Sequence, residues 1–329
     1  MQIIEVKDPA HSQPWLRLLS HNINPSARIA ASYFEYRRLY IGDRMRAQHF
    51  AFAGDEGNAI CGTGFELIAD NEGRTVLTAV DIPSALIWAD GVSEEERRTA
   101  EAMIVEHISG LGERYGAARI QFADPLIDGE LSSLSRWAQE RNAAESKKWW
   151  QIIDLTKPET ALWTDISKSY KWRINNGRKK LDVRVTQGRD SFDALRRLHF
   201  EAAGGNTRPE ETWEAQWKTV ADGGAFLTTS AIDGVIVSAS YFQLTRHDCY
   251  YGVSAADRSL FKLPLNHAPM WEAIRHAKEL GCLRFHVGEQ VWEADGATRK
   301  EAAIAEFKRG FGGETMPEAI MDVTVDRYR

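Results

Sequence analysis

The chain has 329 residues, 43% hydrophobic and 27% charged, with a formal net charge of −6; this is a globular composition with room for two domains. The acidic balance excludes the molecule as a whole as a polyanion binder, so any such site must be local. Its three cysteines, Cys61, Cys249 and Cys282, are far apart and form neither a metal spacing nor a disulfide framework, which fits a reducing compartment.

The N-terminal stretch MQIIEVKDPAHSQPW lacks a basic flank followed by a long apolar segment, and no apolar run approaches the ~18 residues of a membrane span. A cytoplasmic protein without membrane insertion is expected. GDRMRAQHF (42–50) brings Arg44 and Arg46 to the start of the first sheet. AFAGDEGNAICGTGF (51–65) reads as a strand, an acidic-glycine turn and a second strand, a hairpin signal. Residues 94–125 carry helical periodicity, then Gly116, then a short apolar strand; a glycine just past the last turn is a helix stop. The strand WWQIIDL ends near Lys157-Pro158, where we place a boundary between domains 1–157 and 158–329.

The second half repeats the first. TTSAIDGVIVSASYF (228–242) matches 51–65 with Gly234 at Gly57 and Phe242 at Phe65, at one constant offset. Residues 264–290 again give a helix, a stop at Gly281 and the strand LRFHV, with Arg284 in the place of Arg119. Each half therefore predicts an α/β fold, a mixed sheet with helices on both faces.

Within the second half, SKSYKWRINNGRKKLDVRV (167–185) reads as a basic helix. Lys168, Lys171, Arg178 and Lys179 share one face, and Ile166, Tyr170 and Ile174 the other. Arg173 falls at the edge of the apolar face, where its guanidinium could turn toward a cleft. Gly177 weakens the helix and could end it early. The stripe suits phosphates, or is a solvated surface. In AAGGNTRPEETW (202–213), Arg208 and Trp213 could face an acceptor. Tyr250, Tyr251, Ser254 and Arg258 follow the central strand. Asn266 and His267 open the next helix, as a phosphate site or as its cap. HVGEQVWEADG (286–296) places His286, Glu289, Glu293 and Asp295 at a strand end, where ligands of α/β sheets collect. An attacking amine needs a base, and Glu289, Asp295 or a histidine could serve.

EFKRGFGGE (306–314) sets Lys308 and Arg309 between Phe307 and Phe311, with Gly310 as the helix stop. Cations at a helix C-terminus complement its dipole. Alternatively, the phenylalanines anchor the turn and fix Lys308 so that its ammonium stabilises an oxyanion or binds a phosphate.

Taken together, 167–185, 226–244, 250–281 and 307–314, with the FK-x-x-FG ending, resemble the Fem-type (FemABX-like) peptidyl- and acyltransferases of the GNAT superfamily. The resemblance covers roughly residues 160–315; the first half joins it through the repeat. It implies tandem GNAT-like domains with the acyl-transfer site in the second. It also implies direct attack of an amine on an acyl donor, acyl-CoA or aminoacyl-tRNA, without a permanently bound cofactor or metal. The implied acceptors are small-molecule or nucleotide-linked envelope precursors of polysaccharide or peptidoglycan type, and tRNA is an implied partner. The candidate catalytic set, in which the resemblance favours Lys308, is Lys308, Glu289 and Tyr251. The candidate substrate or donor contacts are Lys171, Arg173, Arg178, Ser254, Arg258, Asn266, His286 and Phe307.

Two departures stand out. The glycine-rich pyrophosphate loop of ordinary GNAT enzymes is replaced by DRSLFKLPLNHA and, in the first half, by VDIPSALIWADG. The helical arm of some Fem-type enzymes is missing. No His-x-x-x-His, Cys-x-x-Cys, Gly-x-Ser-x-Gly or Walker pattern occurs, which argues against zinc hydrolases, serine hydrolases and P-loop ATPases. The alternative to an enzyme is a non-catalytic module that retains the fold to hold a nucleotide sugar or RNA.

Overall fold

The computed structural model describes residues 1–9, 11–20, 31–81, 86–125 and 131–325. Two compact units emerge, residues 1–148 with 317–329, and residues 149–316. This differs from the boundary expected at 157/158. The WWQIID strand belongs to the second unit, and the C-terminal strand belongs to the first.

The first unit comprises β1 (Gln2–Val6), α1 (Gln13–Ser20), α2 (Ala31–Ile41), β2 (Met45–Asp55), β3 (Asn58–Ala69), β4 (Thr75–Ala79), β5 (Ile87–Trp88), α3 (Glu94–Arg114), β6 (Arg119–Pro125), α4 (Ser133–Gln139) and the start of β7 (Ala144–Asp154). Its sheet runs β1-β2-β3-β4-β6, with β5 on β3. The second unit continues from β7 through α5 (Glu159–Asp165), α6 (Lys168–Lys180), β8 (Asp182–Thr186), α7 (Arg189–Ala203), α8 (Glu210–Ala221), β9 (Ala225–Ile232) and β10 (Val235–Leu244). It is completed by β11 (Asp248–Ala256), α9 (His267–Glu279), β12 (Arg284–Gln290), α10 (Arg299–Arg309) and the start of β13 (Glu314–Thr324). Its sheet runs β7-β12-β11-β10-β9-β8.

The repeat is visible in the registers. His49 faces Phe65 in the β2–β3 hairpin, and Phe226 faces Phe242 in β9–β10. Asp55 pairs with Asn58 around Gly57, and Ile232 with Val235 around Asp233-Gly234. Each unit then adds an antiparallel strand, a crossover helix and a parallel strand: β4·β6 and β11·β12. The last strand is exchanged. β13 closes the first unit against β6, and β7 closes the second against β12, both antiparallel. Arg119 and Arg284 open the two parallel strands, and each meets a carboxylate: Asp322 for Arg119 and Asp248 for Arg284.

The second unit has an apolar cluster on each sheet face. One gathers Ile174, Phe242, Phe285, Trp271 and Phe311 under α6, α9 and α10; the other gathers Phe192, Trp213, Leu227 and Tyr241 under α7 and α8. Strand alternation divides them, since successive side chains point to opposite faces.

Gly177 does not end α6, which runs to Lys180. It is the contact with α9: a Cβ there would lie 3.1 Å from the Ala268 Cβ and 3.5 Å from the Pro264 carbonyl oxygen. Lack of a side chain, rather than helix breaking, is what the position uses. Ile166 and Ile174 are buried beneath the helix as the periodicity requires.

Candidate active site

β11 and β12 are the only parallel pair in the second sheet's described ladder. They pair through three rungs, Asp248–Arg284, Cys249–Phe285 and Tyr250–His286. Beyond these, β11 stays with β10 as far as Ala256, and β12 stays with β7 as far as Gln290. The registers show why the strands part. A bulge at Gly252 shifts β11 against β10, and one at Val287 shifts β12 against β7. Bulges bend a strand and redirect its side chains. The ladder between β11 and β12 thus ends at Tyr250–His286, a setting for binding an extended polar ligand.

Lys308 stands at this parting. It lies on the last turn of α10, which starts with a capping box between Thr298 and Glu301. Its half-buried Nζ donates to the Glu289 carbonyl at 3.2 Å. A Cβ on Gly288 would come within 2.7 Å of that Nζ, and Gly288 has φ +122°. Only glycine combines that backbone angle with that space. Burial holds the ammonium's pKa below its ordinary value, with the Glu289 carboxylate acting in the opposite sense. Gly288→Ala is therefore expected to displace the ammonium and slow transfer by about tenfold to a hundredfold, measured as a single-turnover rate on folded protein.

The two phenylalanines anchor α10 as expected. Phe307 and Phe311 meet edge to face at 5.2 Å, and both rings contact Tyr170 and His267. α10 ends at Arg309 with Gly310 as its C-cap, as expected, and Gly310 is also a packing glycine. Its φ is −59°, and a Cβ would run into the Tyr170 ring at 2.2 Å. The left-handed residues come next, at Gly312 and Gly313.

Tyr251 faces the same apolar cluster as Phe307 and stacks on Phe242 at 5.4 Å. The Gly252 bulge brings Tyr251 and Ser254 onto one face with Ser240, whose hydroxyl donates to Ser254 at 2.9 Å. Burial pushes the phenol's pKa up, while the Ser254 and Ser240 hydroxyls act in the opposite sense. Tyr251 is thus a protonated donor at neutral pH. Glu289 is half-buried on β12, beside Lys308.

Other expected contacts are placed differently. His286 is 5% exposed and sits in the ladder, its Nε2 3.3 Å from the Asp248 carboxylate. Arg284 donates to the same carboxylate at 2.6 Å. Both hold the Asp248 pKa down against its burial. His286 therefore joins a buried ionic cluster behind the parting, rather than lining it. Asn266 precedes α9, but its side-chain oxygen accepts from Ser238 instead of capping the helix. Arg258 is exposed on a short turn capped by Asp257.

The basic helix also changes role. Lys171 donates to the Thr164 carbonyl at 2.9 Å, and Arg178 bridges to Glu272 of α9 at 2.5 Å. Both tie α6 to its surroundings instead of offering free charge. Arg173 does not turn inward; it is exposed, its guanidinium 5.9 Å from the centre of the Tyr170 ring. Arg208 stacks 3.4 Å over Trp213 and donates to Gln216. Trp213 in turn helps line a cavity of about 620 Å³ with His199, Arg196 and Arg197.

His267 at the start of α9 is 7% exposed, and neither ring nitrogen has a hydrogen-bond partner. Burial and the neighbouring Arg173 charge lower its pKa to about 4. Gly288 and this histidine's isolation escape the pattern of hydrophobicity. A glycine inside the strand RFHVGEQ is nevertheless a signal of a bulge or a close approach. Residues 82–85 of the first unit's loop after β4 lie outside the described residues.

These features define a GNAT-type acyltransferase fold in tandem. Residues 168–309 match the family described as acetyltransferase (GNAT) domain. The chain is similar in structure to FemX, with a TM-score of 0.74 at 12% identity, covering 99% of this chain and 98% of that one. It is also similar to the C-terminal domain of a putative lysylphosphatidylglycerol synthetase from Agrobacterium fabrum, with a TM-score of 0.61 at 14% identity, covering 96% and 90%. A tandem GNAT protein from the clavulanic acid biosynthesis pathway aligns with a TM-score of 0.50 at 13% identity, covering 98% and 97%. Comparison with curated proteins found no match in sequence. The fold is FemABX-like, and no helix among the described residues is long and apolar enough to cross a membrane.

Proposed function

We propose that the protein is an N-acyltransferase. It moves an acyl or aminoacyl group from acyl-CoA or aminoacyl-tRNA to an amine of a cell-envelope polysaccharide or peptidoglycan-type precursor, in the cytoplasm. The donor is a co-substrate held where β11 and β12 part. The amine nitrogen attacks the acyl carbonyl carbon to form the new C–N bond. Lys308 stabilises the oxyanion, and the water-poor setting strengthens that interaction. The Glu289 carboxylate takes the amine proton. As the tetrahedral intermediate collapses, the thioester C–S or ester C–O bond breaks, and Tyr251 protonates the departing sulfur or oxygen.

One observation carries this reading: the ammonium of Lys308 is half-buried at the mouth of the parted strands, in a space kept open by Gly288. Desolvating a charge is unfavourable, and the Glu289 carboxylate offsets that cost only in part, which supports a chemical role for the ammonium. The test is transfer by the purified chain, assayed by mass spectrometry with a panel of acyl-CoAs, charged tRNAs and amine-bearing nucleotide sugars. N-acylated product that forms with wild type and is lost in Lys308→Met supports the reading. Ligand binding without transfer from any donor would instead identify a non-catalytic module.

A further inference from the structure

Two glutamines are buried where the second sheet meets the end of α10, and the acyl-transfer mechanism uses neither. Gln290 on β12 is 2% exposed and Gln151 on β7 is 3% exposed. Burying a primary amide is unfavourable unless its oxygen and nitrogen are bonded, and both amides are bonded at both atoms. The Gln290 oxygen accepts from the Arg309 guanidinium at 2.8 Å, and its nitrogen donates to the Glu289 carbonyl at 3.3 Å. The Gln151 nitrogen donates to the Gly312 carbonyl at 2.6 Å, and its oxygen accepts from the Thr315 hydroxyl at 2.8 Å.

These bonds converge on Lys308. Arg309 is its neighbour on the last turn of α10. The Glu289 carbonyl that Gln290 holds is the one that receives the Lys308 ammonium at 3.2 Å. Gln290 thus ties the turn that carries the lysine to the acceptor that its ammonium reaches. Gln151 is the register partner of Gly288, whose missing side chain makes room for that ammonium. It also holds the chain that leaves α10. There Gly312 and Gly313 have φ of +85° and +83°, and a Cβ on Gly313 would run into the Ile152 carbonyl of β7.

We propose that Gln290 and Gln151 are positioning residues, which clamp the Lys308 turn onto β12 and β7 and so fix where the ammonium sits. Apolar residues of the same size could fill the space, and replacing both partners of a buried hydrogen bond in that way is nearly neutral. Directed bonds add orientation, which a lysine on a flexible four-carbon stem does not have by itself. The proposal rests on the oxyanion role given to Lys308 above.

The test has two arms, both on the full chain with Gln290→Met, Gln151→Met and Arg309→Met. The first needs no turnover. Carbon-13 NMR of the lysine Cε follows the titration of Lys308, assigned by the signal missing in Lys308→Met. Burial holds the wild-type midpoint below the ordinary lysine value. Each clamp variant is expected to raise it toward that value, because a loosened ammonium reaches water. A midpoint that stays in place in Gln290→Met and Gln151→Met overturns the proposal. Arg309 is only half-buried, so Arg309→Met cuts the Gln290 bond from its other end should Gln290→Met not fold. In the second arm, Gln290→Met is expected to lower kcat by about tenfold to a hundredfold, with KM for donor and acceptor changed by less than about threefold. In the Lys308→Met background it should have no further effect. Wild-type kcat in Gln290→Met, or a loss that adds fully to that of Lys308→Met, overturns the proposal. Full activity in Lys308→Met sinks the oxyanion reading instead, and the titration then decides the clamp.

Discussion

Lys308→Met is expected to lower kcat/KM for acyl transfer by roughly 10²- to 10³-fold, the usual consequence of losing one oxyanion donor, with no loss of thermal stability. Methionine keeps the length of the stem while removing a charge whose pKa burial holds below its usual value. Taking a desolvated ammonium out of the second unit should leave the melting temperature unchanged or raise it. A lysine serving only the α10 dipole predicts the reverse: activity retained and a stability loss of about 0.3–1 kcal/mol. Calorimetry and a transfer assay on the same preparation separate the two. The wild type carries a further signature. Because the folded pKa of Lys308 is depressed, its contribution to stability is fully present above the unfolded value near 10.5 and is lost as pH falls through the folded value.

His267→Phe is expected to stabilise the protein, most of all in acid. The wild-type ring is buried among Tyr170, Phe307 and Phe311 with both nitrogens unpartnered, and phenylalanine preserves its edge contacts. Lowering its pKa from 6.5 to about 4 makes the unfolded chain the better proton binder in that interval. Stability from this group is therefore complete above pH 6.5 and falls as the pH drops through 4. The shift corresponds to about 3 kcal/mol in total. Urea unfolding at several pH values should show the acid loss in wild type and its reduction in the variant. Equal pH dependence of the two proteins would show that His267 is solvated or paired. Because His267 supports the Phe307 ring next to Lys308, the variant also reveals whether the cluster tolerates a neutral replacement without loss of transfer.

The fold was legible because its information is local and repeated. Gly57 and Gly234 mark hairpins with equivalent registers, and hairpin turns and helix stops are read from residue types whose backbone preferences are intrinsic. The exchange of β7 and β13 was not legible. WWQIID is an apolar strand wherever it pairs, and nothing in its composition says which β-sheet edge will receive it. The boundary expected at 157/158 moved for this reason.

The site was legible in part. Phe307 and Phe311 carried their packing in their spacing, since the rings fix the last turn of α10, on which Lys308 sits. The charges of α6 did not, because sequence counts cations without showing which are engaged. Lys171 turns to a nearby carbonyl and Arg178 to Glu272 on α9, partners that only tertiary structure brings close. His286 likewise looks like a ligand contact at a strand end until the parallel register sets it beside Asp248. Gly310 was read as the stop of α10, which it is; that the Tyr170 ring occupies the space of its missing side chain could not be read from the sequence.

The most direct measurement is a crystal structure with the donor that supports turnover, or its unreactive amide analogue. The account predicts the acyl carbonyl oxygen about 3 Å from Lys308 Nζ, between the parted ends of β11 and β12. A productive donor whose carbonyl lies away from that ammonium, with Lys308 still bound to the Glu289 carbonyl, would contradict it.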